Sequence, residues 1–251
     1  MRGNPGLGLP DGIRACLFDV DGVLTETATV HAAAWKEMFD TFLKARSDRG
    51  GEPFVPFDEV ADYDSYVDGM PRDDGTRSFL RSRGIALPEG TAGEAGLVTI
   101  TGLSAAKNRI VLRKIRQNGV TAYPGSVGYV KAVWAAGLRR AVVSSSANCA
   151  AVLEAAGIAG LFEARVDGTT VAQDHLAGKP APDTFLAAAR MLGVPPGRAA
   201  VFEDALSGVE AGRAGHFGFV IGVDRVGQAE ALRSHGADVV VTDLAELSGP
   251  P

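Results

Sequence analysis

Short unbroken apolar runs, not alternating ones, punctuate this chain: Ile13 to Val20, Arg140 to Ser144, Ala199 to Phe202, Gly218 to Val223 and Asp238 to Val241. Runs of this length, rich in strand formers and stopped by charge or glycine, predict strands buried on both faces. Between them, stretches of helical pattern intervene. Strands alternating with helices predict a parallel sheet with helices on both sides, an α/β fold of Rossmann-like type. One connecting helix reads clearly: Pro182 sits where a first-turn proline is tolerated, Phe185, Ala189 and Leu192 share a face, and Gly193 ends it.

The rhythm breaks from about Thr29 to about Gly119, where helices joined by loops replace any comparable buried strand. Val30, Ala34, Met38 and Phe42 recur at helical spacing in a first helix, and a Pro- and acid-rich loop follows from Glu52 to Asp64. Further helices are predicted around Arg72 to Arg83 and Ala106 to Gln117. The predicted organisation is therefore a discontinuous core, residues 1–28 and 120–251, interrupted by a helical insertion, residues 29–119.

Composition narrows the function. With 251 residues, 46% hydrophobic and 22% charged, the chain has material for a sizeable core and an accessory unit, and it lacks the profile of a disordered protein. A formal net charge of −5 offers no general attraction to nucleic acid or to an anionic membrane. A phosphorylated substrate would need positive charge built into its site. Met1 to Pro10 lacks the basic and apolar regions of a signal peptide, and Cys16 and Cys149 lie in apolar or helix-like surroundings that predict buried free thiols. The expected address is the cytoplasm.

In an open parallel sheet, ligands bind beyond the carboxyl ends of the strands. Four polar groups stand at such ends or at a helix entry: Asp19 and Asp21 in Asp-Val-Asp-Gly-Val, Ser144 opening Ser-Ser-Ser, Lys179 in Gly-Lys-Pro-Ala-Pro-Asp, and Glu203 with Asp204 after Phe202. Each alone reads more readily as a helix cap, a surface charge or a solvated strand end. Together they supply an acidic cluster, a hydroxyl and an ammonium to one end of one sheet, which is what phosphoryl transfer needs. Carboxylates facing a phosphate repel it unless a divalent cation intervenes, and an all-oxygen ligand set favours Mg2+. Asp19 is the candidate nucleophile, and Ser144 and Lys179 the candidate phosphate-binding groups. Asp21 is the candidate acid and base for the leaving and attacking oxygens.

These elements, in this order, resemble the haloacid dehalogenase-like (HAD) superfamily, and the resemblance covers nearly the whole core. It implies a nucleophile at Asp19, an acid/base at Asp21, phosphate binding by Ser144 and Lys179, and metal binding by Asp19, Glu203, Asp204 and the backbone carbonyl of Asp21. The stretch from Phe18 to Trp35, Tyr-Val-Asp-Gly at 66–69 and Val-Ser-Ser-Ser-Ala-Asn at 143–148 are similar, more narrowly, to β-phosphoglucomutases of an actinobacterial branch. That resemblance makes the insertion a cap and implies a substrate-binding loop at Gly69, Met70 and Arg72, with Arg72 on the phosphate distal to the reaction. It implies positioning of the acid/base by His31 and Lys107, and further substrate contacts from Ser146, Ala147 and Asn148. Two positions depart from the pattern: Glu26 stands where relatives often have Asp, and Ala147 where the best-known mutases carry a lysine. Trp35, at helical spacing, reads as a core aromatic before it reads as a substrate contact.

The implied activity is interconversion of β-glucose 1-phosphate and glucose 6-phosphate by a monomer, with a bisphosphate activator and no nucleic-acid or membrane partner. A sugar-phosphate phosphatase would use the same nucleophile and metal but let water accept the phosphoryl group. A non-enzymatic binding protein on the same fold would have no use for the complete set of groups.

Overall fold

The computed structural model describes residues 6–50, 53–91, 94 and 96–249. Met1 to Pro5, and Glu52 at the start of the predicted acid-rich loop, lie outside the described residues. In chain order the elements are β1 (Ala15–Phe18), α1 (Ala28–Gly50), α2 (Ala61–Tyr66), α3 (Arg72–Ser82), α4 (Ile100–Asn118), α5 (Pro124–Ala135) and β2 (Arg139–Val143). Then follow α6 (Cys149–Ala155), β3 (Ala164–Val166), α7 (Gly168–Gln173), α8 (Asp183–Leu192), β4 (Ala199–Glu203), α9 (Leu206–Ala214), β5 (Phe219–Val223), α10 (Ala229–Ser234) and β6 (Val239–Val241). The chain divides into two compact units, Met1–Thr27 with Val120–Pro251, and Ala28–Gly119. No helix among the described residues is long and apolar enough to cross a membrane.

The first unit holds a six-stranded, wholly parallel sheet in the order β3-β2-β1-β4-β5-β6. The chain builds outward from β1 to β3, then returns to the other side of β1 and builds to β6, so the order reverses between β1 and β4. Ala15, Cys16, Leu17 and Phe18 of β1 are fully buried, as the unbroken apolar run requires of a central strand. Alternation along the strands divides them between two faces. Ala15, Leu17, Val143 and Val201 pack with Phe185, Ala188 and Leu192 of α8 in one core cluster. On the opposite face Phe18 stacks on Phe202 with ring centroids 4.4 Å apart and meets the edge of Tyr129 from α5.

The second unit contains α1 to α4 around an aromatic core. In α1, Trp35, Met38, Phe39 and Phe42 bury one face against Phe57, Phe79 of α3 and Leu103 of α4. Phe39 lies 5.2 Å from Trp35 and 4.1 Å from Phe79 between ring centroids, contacts worth about 0.5–1.5 kcal/mol each beyond their buried area. Trp35 is thus a core residue of its unit.

Several boundaries differ from the sequence reading. The predicted strand Ile13–Val20 narrows to Ala15–Phe18, because the chain turns immediately after Asp19. β3 has no counterpart in the reading: it is three residues long and contains Arg165, too little apolar sequence to stand out. Helix α2 begins inside the predicted loop at Ala61. Helix α4 starts at Ile100, well before Ala106, because the Thr99 hydroxyl accepts from the amide of Gly102 and caps it.

Candidate active site

Register brings the two acidic strand ends together. Phe18 of β1 is aligned with Phe202 of β4, and the next residue, Asp19, donates its amide to the Phe202 carbonyl at 2.9 Å. Asp19 therefore lies beside Glu203, at the point where strand order reverses and open α/β sheets form ligand sites. One oxygen from each of Asp19, Glu203 and Asp204 falls within a group whose members lie within 4.8 Å of one another. All three residues are buried.

Lys179, 3% exposed, arrives on the loop before α8 and bridges two of these acids. Its Nζ donates to Asp19 Oδ1 at 2.5 Å and to Glu203 Oε1. The second Glu203 oxygen accepts from the amide of Ala205 at 3.1 Å. Burial alone would depress the Lys179 pKa, but the charges of Asp19 and Glu203 overcome it and hold the ammonium above its ordinary value. Burial raises Asp19 well above the usual carboxylate range; the Lys179 charge opposes this, while Glu203 and Asp21 add to it.

Asp21 behaves differently. Its carboxylate accepts a hydrogen bond from the Thr27 hydroxyl, which lies 2.7 Å from the Thr25 hydroxyl. Thr25 in turn donates to the Val20 carbonyl at 3.1 Å, closing the turn after β1. Thr27 was not among the residues singled out by sequence: it follows Asp21 beyond a tight turn, where no periodicity connects the two.

Gly22 lets the two acidic loops touch. Its φ is +84°, and a Cβ there would overlap the Asp204 carboxylate, so both conformation and space require glycine. Three clustered carboxylates exceed the single charge that Lys179 brings. A closely spaced, oxygen-only, net-anionic group held against the backbone fits a hard divalent cation.

Ser144 is buried at the end of β2, and its hydroxyl accepts from the amide of Ser146 at 3.1 Å. The Ser146 hydroxyl accepts from the amide of Asn148 at 3.2 Å, Ala147 is exposed, and Asn148 is the N-cap of α6.

The remaining candidates belong to the helical unit. Lys107, 4% exposed, directs Nζ to His31 Nδ1 at 2.9 Å and sits over the Trp35 ring at 4.6 Å from its centroid. An ammonium only donates, so Nδ1 accepts and the ring proton of a neutral His31 lies on Nε2. Gly69 and Met70 form the turn that ends at Pro71, the N-cap of α3, and Arg72 opens that helix. Burial lowers the Arg72 pKa, and the adjacent Asp73 offsets this in part.

This combination of parallel sheet and acidic strand ends has known counterparts. The family model for haloacid dehalogenase-like hydrolases matches residues 13–216. The chain belongs to the haloacid dehalogenase-like family. It is 57% identical over 245 residues to proteins named β-phosphoglucomutase from Mycobacterium bovis and Mycobacterium tuberculosis, with 96% of this chain and 94% of each relative covered. A crystal structure of β-phosphoglucomutase from Clostridium difficile superposes with a TM-score of 0.73 at 24% identity, covering 94% of this chain and 93% of that one, a likeness of fold.

Proposed function

We propose that this chain is a magnesium-dependent β-phosphoglucomutase, a cytoplasmic monomer that converts β-glucose 1-phosphate to glucose 6-phosphate through an aspartyl-phosphate on Asp19 and β-glucose 1,6-bisphosphate. The observation that carries the reading is the convergence of Asp19, Lys179, Glu203 and Asp204 at the switch point of the sheet. The extensive identity to mycobacterial proteins of that name supports the choice of a sugar phosphate.

In the proposed cycle, the 6-hydroxyl of the substrate attacks the phosphorus carried by Asp19. Asp21 takes the hydroxyl proton as the acyl-phosphate bond breaks, leaving a free Asp19 carboxylate and the bisphosphate. After the bisphosphate turns over, Asp19 attacks the phosphorus at C1, and Asp21 returns its proton to the departing C1 oxygen. Glucose 6-phosphate leaves and Asp19 is phosphorylated again. Lys179 and Ser144 hold the transferring oxygens. Asp19, Glu203, Asp204 and the Asp21 carbonyl would hold Mg2+, which supplies charge neutralisation for the transferring group.

The proposal gives the 29–119 insertion the role of a cap. There Arg72, with Gly69 and Met70, grips the second phosphate, and His31 and Lys107 position the acid/base; from the sheet unit, Ser146, Ala147 and Asn148 complete the substrate contacts. The hydrolase description of the matched family keeps water as the alternative acceptor. The two readings separate in one assay: Mg2+, β-glucose 1-phosphate and a trace of the bisphosphate, with glucose 6-phosphate and free phosphate measured together. Glucose 6-phosphate with little free phosphate, abolished in Asp19→Asn, is the expected result. Predominant free phosphate makes the chain a phosphatase, and full activity of Asp19→Asn overturns the mechanism.

A further inference from the structure

The turn between β5 and α10 does more than join them. The Asp224 carboxylate accepts from the amides of Val226, Gly227 and Gln228 through Oδ1, at 3.2, 2.7 and 2.8 Å, and from Ala229 through Oδ2 at 3.1 Å. Its own amide donates to the Val241 carbonyl at 2.8 Å, which ties the turn to the end of β6. A turn capped this completely presents its side chains from a fixed base.

Two of those side chains reach the backbone of the acidic loops. Arg225 Nε donates to the Gly22 carbonyl at 2.8 Å, and Gln228 Nε2 donates to the Asp204 carbonyl at 3.0 Å. Gly22 and Asp204 are the residues at which the two loops touch. The two donors therefore hold the two sides of one contact, and both come from a single turn.

Arg225 is itself over-determined. Its Nη1 donates to the Thr242 carbonyl at 2.6 Å, and the guanidinium lies 3.7 Å from the centroid of the Tyr123 ring. Tyr123 donates its amide to the Leu24 carbonyl at 3.0 Å, gripping the same loop from behind. Stacking and a two-direction fork suit a planar guanidinium and not a flexible ammonium.

We propose that Arg225 and Gln228 are positioning residues of the reaction. They fix the separation between the loop carrying Asp19 and Asp21 and the loop carrying Glu203 and Asp204, and so set the spacing of the cation's ligands. The inference rests on the reading of those acids as a cation site. Neither residue touches the reacting groups; both act through backbone carbonyls, as residues outside a ligand shell commonly do, at a cost on removal of about 10–100-fold in affinity or activity.

The test compares full-length wild type with Arg225→Lys, Arg225→Gln and Gln228→Ala, by calorimetric titration with Mg2+ and by kcat and KM for β-glucose 1-phosphate. Near-ultraviolet circular dichroism measures the folded fraction. Mg2+ binding is expected to weaken roughly 10–100-fold in all three, with kcat reduced at saturating Mg2+ and KM within about twofold of wild type. Arg225→Lys is expected not to rescue. Gln228→Ala removes one hydrogen bond and leaves the Asp224 turn capped, so it remains informative if the Arg225 variants fail to fold. Wild-type Mg2+ affinity in the folded variants, or a loss no greater than the loss of folded protein, overturns the inference while leaving the cation site intact. Wild-type protein that binds no Mg2+ overturns the cation site and this inference with it.

Discussion

Lys179 is a buried ammonium set between two buried carboxylates, and the energetics of such a group are asymmetric. Building it in gains little over an apolar core, but removing one partner leaves charge without compensation, at about 3–5 kcal/mol. Lys179→Met therefore leaves Asp19 and Glu203 side by side without the ammonium that bridges them. Urea unfolding of the metal-free protein is expected to show a loss of that size, and phosphoryl transfer is expected to fall by about 10²–10³-fold. Normal stability would mean that Asp19 and Glu203 are compensated by other groups. The thiols test burial on a different axis. Desolvation pushes Cys16 far above the ordinary thiol value, against the Arg140 charge; it does the same for Cys149, with Asp21, Asp167 and Asp19 adding to the effect. A group whose folded pKa is raised binds its proton more tightly in the folded state. Its stabilisation is complete below the unfolded value, about 8.5, and is lost as pH rises from there toward the folded value. Each thiol should thus remove about 1.4 kcal/mol of stability per pH unit in that window. Denaturant midpoints measured between pH 8 and pH 10.5 are expected to fall, and Cys16→Ala with Cys149→Ala to flatten the decline.

At the scale of elements, what was legible depended on how much apolar pattern each element carries. β1, β2, β4 and β5 were visible because central parallel strands must be apolar on both faces, and an unbroken run survives any uncertainty about phase; β6, at the far edge, was visible because its three residues are all valine. β3 pairs only with β2 at the sheet edge and carries Arg165, so its three residues resemble a loop. Helix α8 was readable from Phe185, Ala189, Leu192 and Gly193. The true start of α4 was hidden, because Thr99 caps through a short-range hydrogen bond while Gly102, in the first turn, reads as a breaker. The site divides in the same way. Asp19, Glu203 and Asp204 were nameable because strand ends are nameable, and the parallel register then brings them together; Lys179 was nameable at the entry to the readable helix α8. Thr27, Arg225 and Gln228 act through turns and carbonyls, and a carbonyl acceptor leaves no trace in sequence.

At the scale of the whole molecule, the acidic cluster exists only in the folded chain. Lys179 and Asp19 are 160 positions apart in sequence, and β1 must lie beside β4 before Asp19 meets Glu203. A cation taken by this cluster binds the native state and not the unfolded one, so it must stabilise the fold by mass action, by about 2.7 kcal/mol at a hundred times its dissociation constant. For a protein of this size each kcal/mol moves the melting temperature by about 2–4 °C, giving an expected rise of roughly 5–10 °C. The two tryptophans make the shift assignable, since Trp134 lies in the unit that contains the cluster and Trp35 in the helical unit. In Trp35→Phe protein, the Trp134 fluorescence transition is expected to move upward with Mg2+ and to return on chelation. Asp204→Asn removes one of the clustered carboxylates and is expected to abolish most of the movement while leaving the metal-free transition in place. A Trp134 transition that ignores saturating Mg2+ would mean that the cluster takes no cation, and the proposed mechanism on Asp19 and Asp21 would then have to work without the one its charges demand.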